Sequence, residues 1–459
     1  MSTPARTLRR PRLSAVRPSI SYKATIAILG SILLPPLLLL EAWKTSNERY
    51  RHWVLTFFFT IYGATITIAF DPTGAGSDGV RHLLGVYVHY VGLGFDEFLV
   101  QLGQILTLQP NPSPSADVYK HVVSYAVGGV LGAPWLFWPV IATVYGYFFT
   151  GSMLIIFRDW GRAKMPLITL FLIVTFFLIK NIEGVNTVRT WTGLWVLVYA
   201  CLQYYQTRKL RYLVLMAMPP FIHFGYFIMA LPAYVVLLFG TRTMLYSVLF
   251  VASSFTTFIN PGQVTEVIAT TELGAEKLGG YYRDSTVAGA QVFEERTQAG
   301  NRIWLALQRA GVQKWALLVF VYTLLIAGVY HLRMDDFQKR IFSIGLLMIT
   351  LSNSTWYLYA VSNRSWIIGA VFLFAAFVMW RLGVSQTGQR VRHNQLYKIG
   401  LHVSAVLFIP YFLYNLSILL DYPSVYLIAF PFIPWLDPSL NMSIKEFLQI
   451  LLIEMLGIL

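Results

Sequence analysis

The sequence predicts an all-α protein, a polytopic transmembrane helical bundle of about ten to twelve membrane segments. Three observations predict it. Hydrophobic residues make up 56% of the 459-residue chain and charged residues 12%, about half the charged share of a soluble domain. Mean hydropathy is +0.59. Apolar runs long enough to cross roughly 30 Å of hydrocarbon as helices recur from Ala24 to the C-terminus. The formal charge of +14 is scattered in short clusters between those runs rather than gathered into one patch. It reads as a topology signal and not as a nucleic-acid surface.

Residues 1–23 form a basic tail carrying Arg6, Arg9, Arg10, Arg12 and Arg17. No small-residue cleavage site follows the first apolar run, Ala24 to Leu40, so that run is expected to stay as an anchor. Residues 24–459 read as a single integral membrane domain. Its further apolar segments are Trp53 to Phe70, Ala133 to Phe157, Pro166 to Ile179, Trp191 to Tyr205, Tyr212 to Phe239, Met244 to Ile259, Trp315 to Leu332, Ile341 to Ala360, Trp366 to Trp380, Ile399 to Leu420 and Phe447 to Leu459. Cys201, the only cysteine, lies inside one of them and is expected to be a buried apolar side chain.

Four basic clusters, at Arg158 to Lys164, Arg208 to Arg211, Arg333 to Arg340 and Arg381 to Lys398, are expected to face the cytoplasm. The stretches between them then share the other face, including outer-face segments 71–132 and 260–314, the first with amphipathic helices. The alternation closes only if Tyr212 to Phe239 enters the bilayer and returns. Pro219-Pro220 stops a helix and Pro232 perturbs the return limb, so re-entrant half-helices are expected to meet near Phe221 to Phe224. Pro35-Pro36 offers the first run the same choice, which leaves the side of the tail open.

Ionisable groups at membrane depth or on its rim are costly and mark candidate sites. Arg189, in NIEGVNTVRTW, stands where a helix re-enters the bilayer; His223, in PPFIHFGYF, stands at the predicted break. Asn363 and Arg364, in YAVSNRSWI, occupy a four-residue outer turn, and Asp78 and Arg81 follow the glycines of FDPTGAGSDGVRH. Each has a plainer reading: an arginine snorkelling to headgroups, a satisfied core histidine, a headgroup anchor, a plain loop. In the outer loop, Tyr281, Tyr282 and Arg283 suit stacking on a sugar and hydrogen bonding to it, and Ile303, Trp304, Leu307 and Ala310 recur at the spacing of an interfacial helix. An inert surface loop accounts for them equally well.

A guanidinium pair suits a diphosphate, and a histidine can take a proton from a hydroxyl near neutral pH. Together these parts suit group transfer from a lipid diphosphate. The chain has no Walker loop, dinucleotide fingerprint, HExxH or paired CxxC, which disfavours an ATPase, a nicotinamide enzyme and a zinc protease. Asp335-Asp336 reads as a solvated turn. A transporter or flippase, an O-antigen ligase and an acyltransferase remain open as alternatives.

The order of GSDGVR at Gly76 to Arg81, VRTWTGLWVLVYACLQYY from Val188, RKLRYLVL from Arg208 and FIHFGYFIMALP from Phe221 resembles the EpsG-like, Wzy-type bacterial polysaccharide polymerases. The likeness is densest over Asn186 to Pro232 and elsewhere lies in layout. A threonine and tryptophan follow Arg189 where that family commonly has glutamine or glycine, and the Arg-rich N-terminus is longer. The resemblance implies a GT-C-like architecture in the cell inner membrane, with an active site facing the periplasm. There one undecaprenyl-diphosphate-linked repeat would be joined to another, without metal or cofactor. It implies Arg189, His223 and Asp78 as catalytic, with Arg81 matching the early turn and Arg364 loosely matching a late arginine that begins a helix. The implied partners are the lipid-linked donor and acceptor glycans, the bilayer and a chain-length regulator; no nucleic acid is among them.

Overall fold

The computed structural model describes residues 30, 33–67, 78–107, 109, 117–160, 165–256, 312–326, 334–356, 358–387 and 395–456, to which the structural statements below refer. Among them every regular element is helical, and Ser424 pairs with Ser443 in an isolated bridge.

The first run breaks at Leu34-Pro35, and α1 (Pro36–Lys44) turns into α2 (Glu48–Thr65). Asn47 caps α2 by accepting hydrogen bonds from the amides of Arg49 and Tyr50, both 3.1 Å. Two amphipathic helices follow, α3 (Asp78–His89) and α4 (Phe95–Leu106), then α5 (Val118–Ser124), which runs into a π-helical turn, Tyr125–Val130. Helix α6 (Phe137–Ile156) lies along α2, and a methyl group on Gly63 would run into the carbonyl oxygen of Trp138. Helix α7 (Leu167–Ile179) ends in a 3₁₀ turn, Ile182–Thr187, from which α8 (Thr190–Thr207) starts. Every residue of α8 from Thr190 to Leu202 is buried, Cys201 included, so this helix is the axis of the bundle rather than a lipid-facing span.

The Tyr212 to Phe239 segment divides into α9 (Leu210–Met216), α10 (Pro219–Ile222), α11 (Tyr226–Met229) and α12 (Leu231–Phe239). Pro219 and Pro220 sit at the first two positions of α10, where their missing N–H groups cost nothing. Tyr234 Oη donates to the carbonyl of Met216 at 2.9 Å. Eighteen residues of straight helix would separate the two by about 27 Å, so the chain doubles back here, as its prolines predict.

The remaining helices are α13 (Thr243–Ser253), α14 (Val312–Leu324), α15 (Asp336–Ser354), α16 (Tyr359–Thr387), α17 (Gln395–Asp421), α18 (Ile433–Leu436) and α19 (Ile444–Leu456). Asp335, expected in a solvated turn, is exposed ahead of α15 and caps it in a reciprocal box with Gln338. Asn363 and Arg364 do not occupy a turn. The α15–α16 connection lies earlier, where the amide of Leu358 donates to Thr355, and both residues sit in the opening turns of α16. The Ser-Asn-Arg-Ser run resembles a loop in its polarity, but Ser362 bonds to α15 and Arg364 reaches His223 there.

Four helical stretches are long and apolar enough to cross a membrane: Pro134–Ile156, Leu167–Thr187, Ala360–Gly383 and Gln395–Asp421. The predicted ten to twelve segments exceed that number because several apolar runs are broken into pieces shorter than a span. The third stretch is 89% buried over its apolar window and the fourth 28%. Accordingly Leu396, Ile399, Val403, Val406, Ile409 and Leu413 form an outward apolar stripe on α17, which suits hydrocarbon and not water.

Candidate functional site

Four elements bring one side chain each to a common point. Helix α10 packs on α5 and α8, and α11 packs on α16, so the ends of α5, α8 and α16 converge on the break between α10 and α11. His223 occupies that break, ending α10 with extended backbone (φ −152°, ψ 121°). Arg189 begins α8, Arg364 lies in α16 and Asp117 precedes α5.

Asp117 is the hub. Its carboxylate is 2% exposed. One oxygen accepts from the Phe224 amide at 2.8 Å and from His223 Nδ1 at 3.3 Å; the other accepts from the Arg189 guanidinium. Asp117 stands where a helix cap would stand, yet its side chain makes no cap bond, because both oxygens are committed to the cluster. Burial alone would raise its pKa; the hydrogen bond from His223 and the charge of Arg189 outweigh burial and hold it well below the carboxylate range.

Arg364 Nη1 donates to His223 Nε2 at 2.8 Å. Guanidinium nitrogens have no acceptor capacity, so Nε2 accepts and the imidazole proton belongs on Nδ1, facing Asp117. The cluster thus rests as a chain, Arg189 to Asp117 to neutral His223 to Arg364.

Backbone strain presents Arg189. Val188, fully buried, has φ +55° and ψ −56°, and the Arg189 amide donates to the carbonyl of Thr187 across it. That is a positive-φ γ-turn with a β-branched residue at its centre, an arrangement costing about 1–3 kcal/mol. Surrounding bonds hold it: Thr192 Oγ1 donates to the Val188 carbonyl at 2.6 Å. Just upstream, Lys180 pairs with buried Glu183 at 2.6 Å and its ammonium lies 4.8 Å from the centre of the Trp191 ring. The Nε of Arg189 is buried and has no hydrogen-bond partner among the described residues.

More positive charge stands behind the chain. Helix α3 packs on the 3₁₀ turn before Arg189, and Lys120 of α5 is 2% exposed. Between them His82 is buried and held to a pKa of about 2, first by desolvation and then by the charges of Lys120, Arg189 and Arg81, against the weaker pull of Asp117. The cluster therefore puts Arg189 and Arg364 at the two ends of one Asp117–His223 pair, with the charges of Lys120 and Arg81 felt at nearby His82, an arrangement poised for a polyanion.

Of the residues expected from sequence, Arg189, His223 and Arg364 meet. Arg81 is exposed at the rim. Asn363 is half-buried beside Arg364, with no side-chain hydrogen bond among the described residues. Asp78 opens α3, but its side chain lies outside the described part. Tyr281, Tyr282 and Arg283, with the helix expected around Trp304, also lie outside the described residues. Asp117, Lys120 and His82 were not anticipated. The signal for Asp117, an acid after PNPSPSA and before an apolar run, reads as an ordinary helix cap. No group of three or more potential metal ligands occurs among the described residues. Compared with family models, with curated proteins and with solved structures, the chain matches none.

Proposed function

We propose that the protein is a membrane glycosyltransferase of the polysaccharide-polymerase kind. It joins undecaprenyl-diphosphate-linked oligosaccharide repeats at the periplasmic face of the cell inner membrane, in a GT-C-like bundle of about ten to twelve segments. The observation that carries this reading is the chain linking Arg189, Asp117, His223 and Arg364, which gathers two guanidinium groups and a neutral imidazole at a break in apolar helices. The resemblance over Asn186 to Pro232 supplies the substrate class.

In this reaction the donor's diphosphate binds the guanidinium groups of Arg189 and Arg364. An acceptor hydroxyl oxygen attacks the donor's anomeric carbon, the bond from that carbon to the diphosphate oxygen breaks, and the leaving diphosphate departs as an anion held by the arginines. The acceptor's proton goes to His223 Nε2, which is vacated as Arg364 turns to the phosphate. Asp117 keeps the Nδ1 proton in place and stabilises the imidazolium that forms, as a buried carboxylate does in a catalytic triad. Lys120 and Arg81 add to the field that attracts the anion. The lipid tails run in the bilayer, and a chain-length regulator is the partner such a polymerase works with.

Replacement of Arg189 or His223 by Ala is expected to leave single lipid-linked repeats and no long polymer while protein abundance is kept, as read by lipid extraction and gel electrophoresis. Normal chain lengths in both variants would remove the assignment. A flippase predicts a different pattern, with repeats stranded on the cytoplasmic leaflet.

A further inference from the structure

We propose a second, carbohydrate-binding site on the opposite side of the start of α16 from Arg364. Helix residues advance about 100° each, so Ser362 and Arg364, two positions apart, point to nearly opposite faces. Arg364 reaches His223; Ser362 instead packs on α15, where it and Ser352 donate their hydroxyls to each other's carbonyls at 2.8 and 2.7 Å. On this second face a cleft of about 570 Å³ opens between the ends of α13 and α15 and the first turn of α14, a size that takes a small ligand.

The hydrogen-bonding polarity of the cleft selects its ligand. Ser254 Oγ donates to the carbonyl of Phe250 at 3.0 Å and Thr256 Oγ1 to that of Ala252 at 3.0 Å. Their single protons are thus committed to their own helix, and toward the cleft they can only accept. Asn353 Nδ2 donates to Ser253 Oγ at 3.2 Å, and its Oδ1 has no partner among the described residues. A wall of acceptors fits a ligand rich in O–H donors. Trp356, 47% exposed, adds an aromatic face of the kind on which the C–H side of a sugar ring stacks. Lys314 also lines the cleft. The cationic cluster and the cleft are therefore chemically complementary, one for an anion and one for a polyol, on the two faces of a single helix start.

The role rests on the glycosyl-transfer reading: the cleft holds sugars of the glycan whose diphosphate end engages Arg189 and Arg364. Binding itself is tested without that reading. The full chain, in lipid nanodiscs free of glycoside detergent, is applied to an array of immobilised neutral bacterial oligosaccharides. Wild type is expected to bind; Trp356→Ala and Asn353→Ala are expected to weaken binding about tenfold or more, the loss of one good aromatic or hydrogen-bonding contact. Trp356→Phe is expected to restore most of it, and Arg364→Ala to leave it intact. An array to which wild type does not bind overturns the proposal. So does binding that survives Trp356→Ala and Asn353→Ala, or binding that falls as much in Arg364→Ala, which would assign the sugar to the cationic cluster. Should the array behave as expected while Arg189→Ala still makes long polymer, the cleft stands and the polymerase reading falls.

Discussion

At the scale of single residues, Asp117 has the largest consequence. It is buried, it neutralises Arg189 and it fixes the tautomer of His223, so its loss disturbs three groups at once. Asp117→Asn keeps an acceptor for the Phe224 amide but removes the charge. The rate of polymerisation is expected to fall by about four orders of magnitude, in line with removing the charge that orients a catalytic imidazole. The double variant with Arg189→Ala should be no worse than either single one, because groups acting as a unit are not additive; independent, additive losses would argue against a shared site. His82 gives a second prediction. Its folded pKa of about 2 lies below the unfolded value of about 6.5. The stability tied to its neutrality is therefore complete above about pH 6.5 and is lost as pH falls, by up to about 1.4 kcal/mol per unit. Melting temperature should decline less steeply between about pH 6.5 and 4.5 in His82→Gln than in wild type; identical slopes would show that His82 is not the buried neutral group. Arg189, His223 and Arg364 were legible in the sequence because each interrupts or borders apolar sequence, where a charge has to be explained. Asp117, Lys120 and His82 were not, since each stands in a locally polar stretch and is buried only by helices distant in the chain.

At the scale of elements, the site depends on how closely short helices approach α8. Gly193 lies where α11 crosses it, and a methyl group there would stand 2.6 Å from the Tyr226 ring. That ring's hydroxyl donates to the Thr190 carbonyl at 2.7 Å, one residue beyond Arg189. Gly193→Ala is expected to cost about 1–3 kcal/mol by overpacking and to lower polymer yield by displacing the segment that carries His223. An unchanged melting temperature and yield would show that the contact is slack. The break at Pro219-Pro220 was readable because proline's chemistry is local. The start of α16 was not: the serines of Ser-Asn-Arg-Ser resemble a turn until Ser352 is opposite to bond Ser362, and that pairing is tertiary.

For the whole molecule, the proposed orientation makes a test easy, because the only cysteine, Cys201, is buried. Single cysteines introduced at exposed Lys209 and at Phe255, 80% exposed, should react with an impermeant maleimide from opposite sides, Lys209→Cys only after the cytoplasmic face is opened. Labelling of both from one side would undo the topology. The helical class and the repeated apolar runs follow from composition alone, since 12% charge over 459 residues cannot clothe a water-soluble surface. The number of spans does not follow, because an apolar run such as that of α8 can be wrapped by protein on all sides instead of facing lipid. One contact gathers these scales together. With Arg364 seated on Nε2, the imidazole has no lone pair to offer while the lipid donor is absent. In the proposed reaction the protein is therefore inert toward water between turnovers. Only a diphosphate lipid, by drawing the guanidinium off, arms the base, so that recognition of the donor and activation of the base are one event.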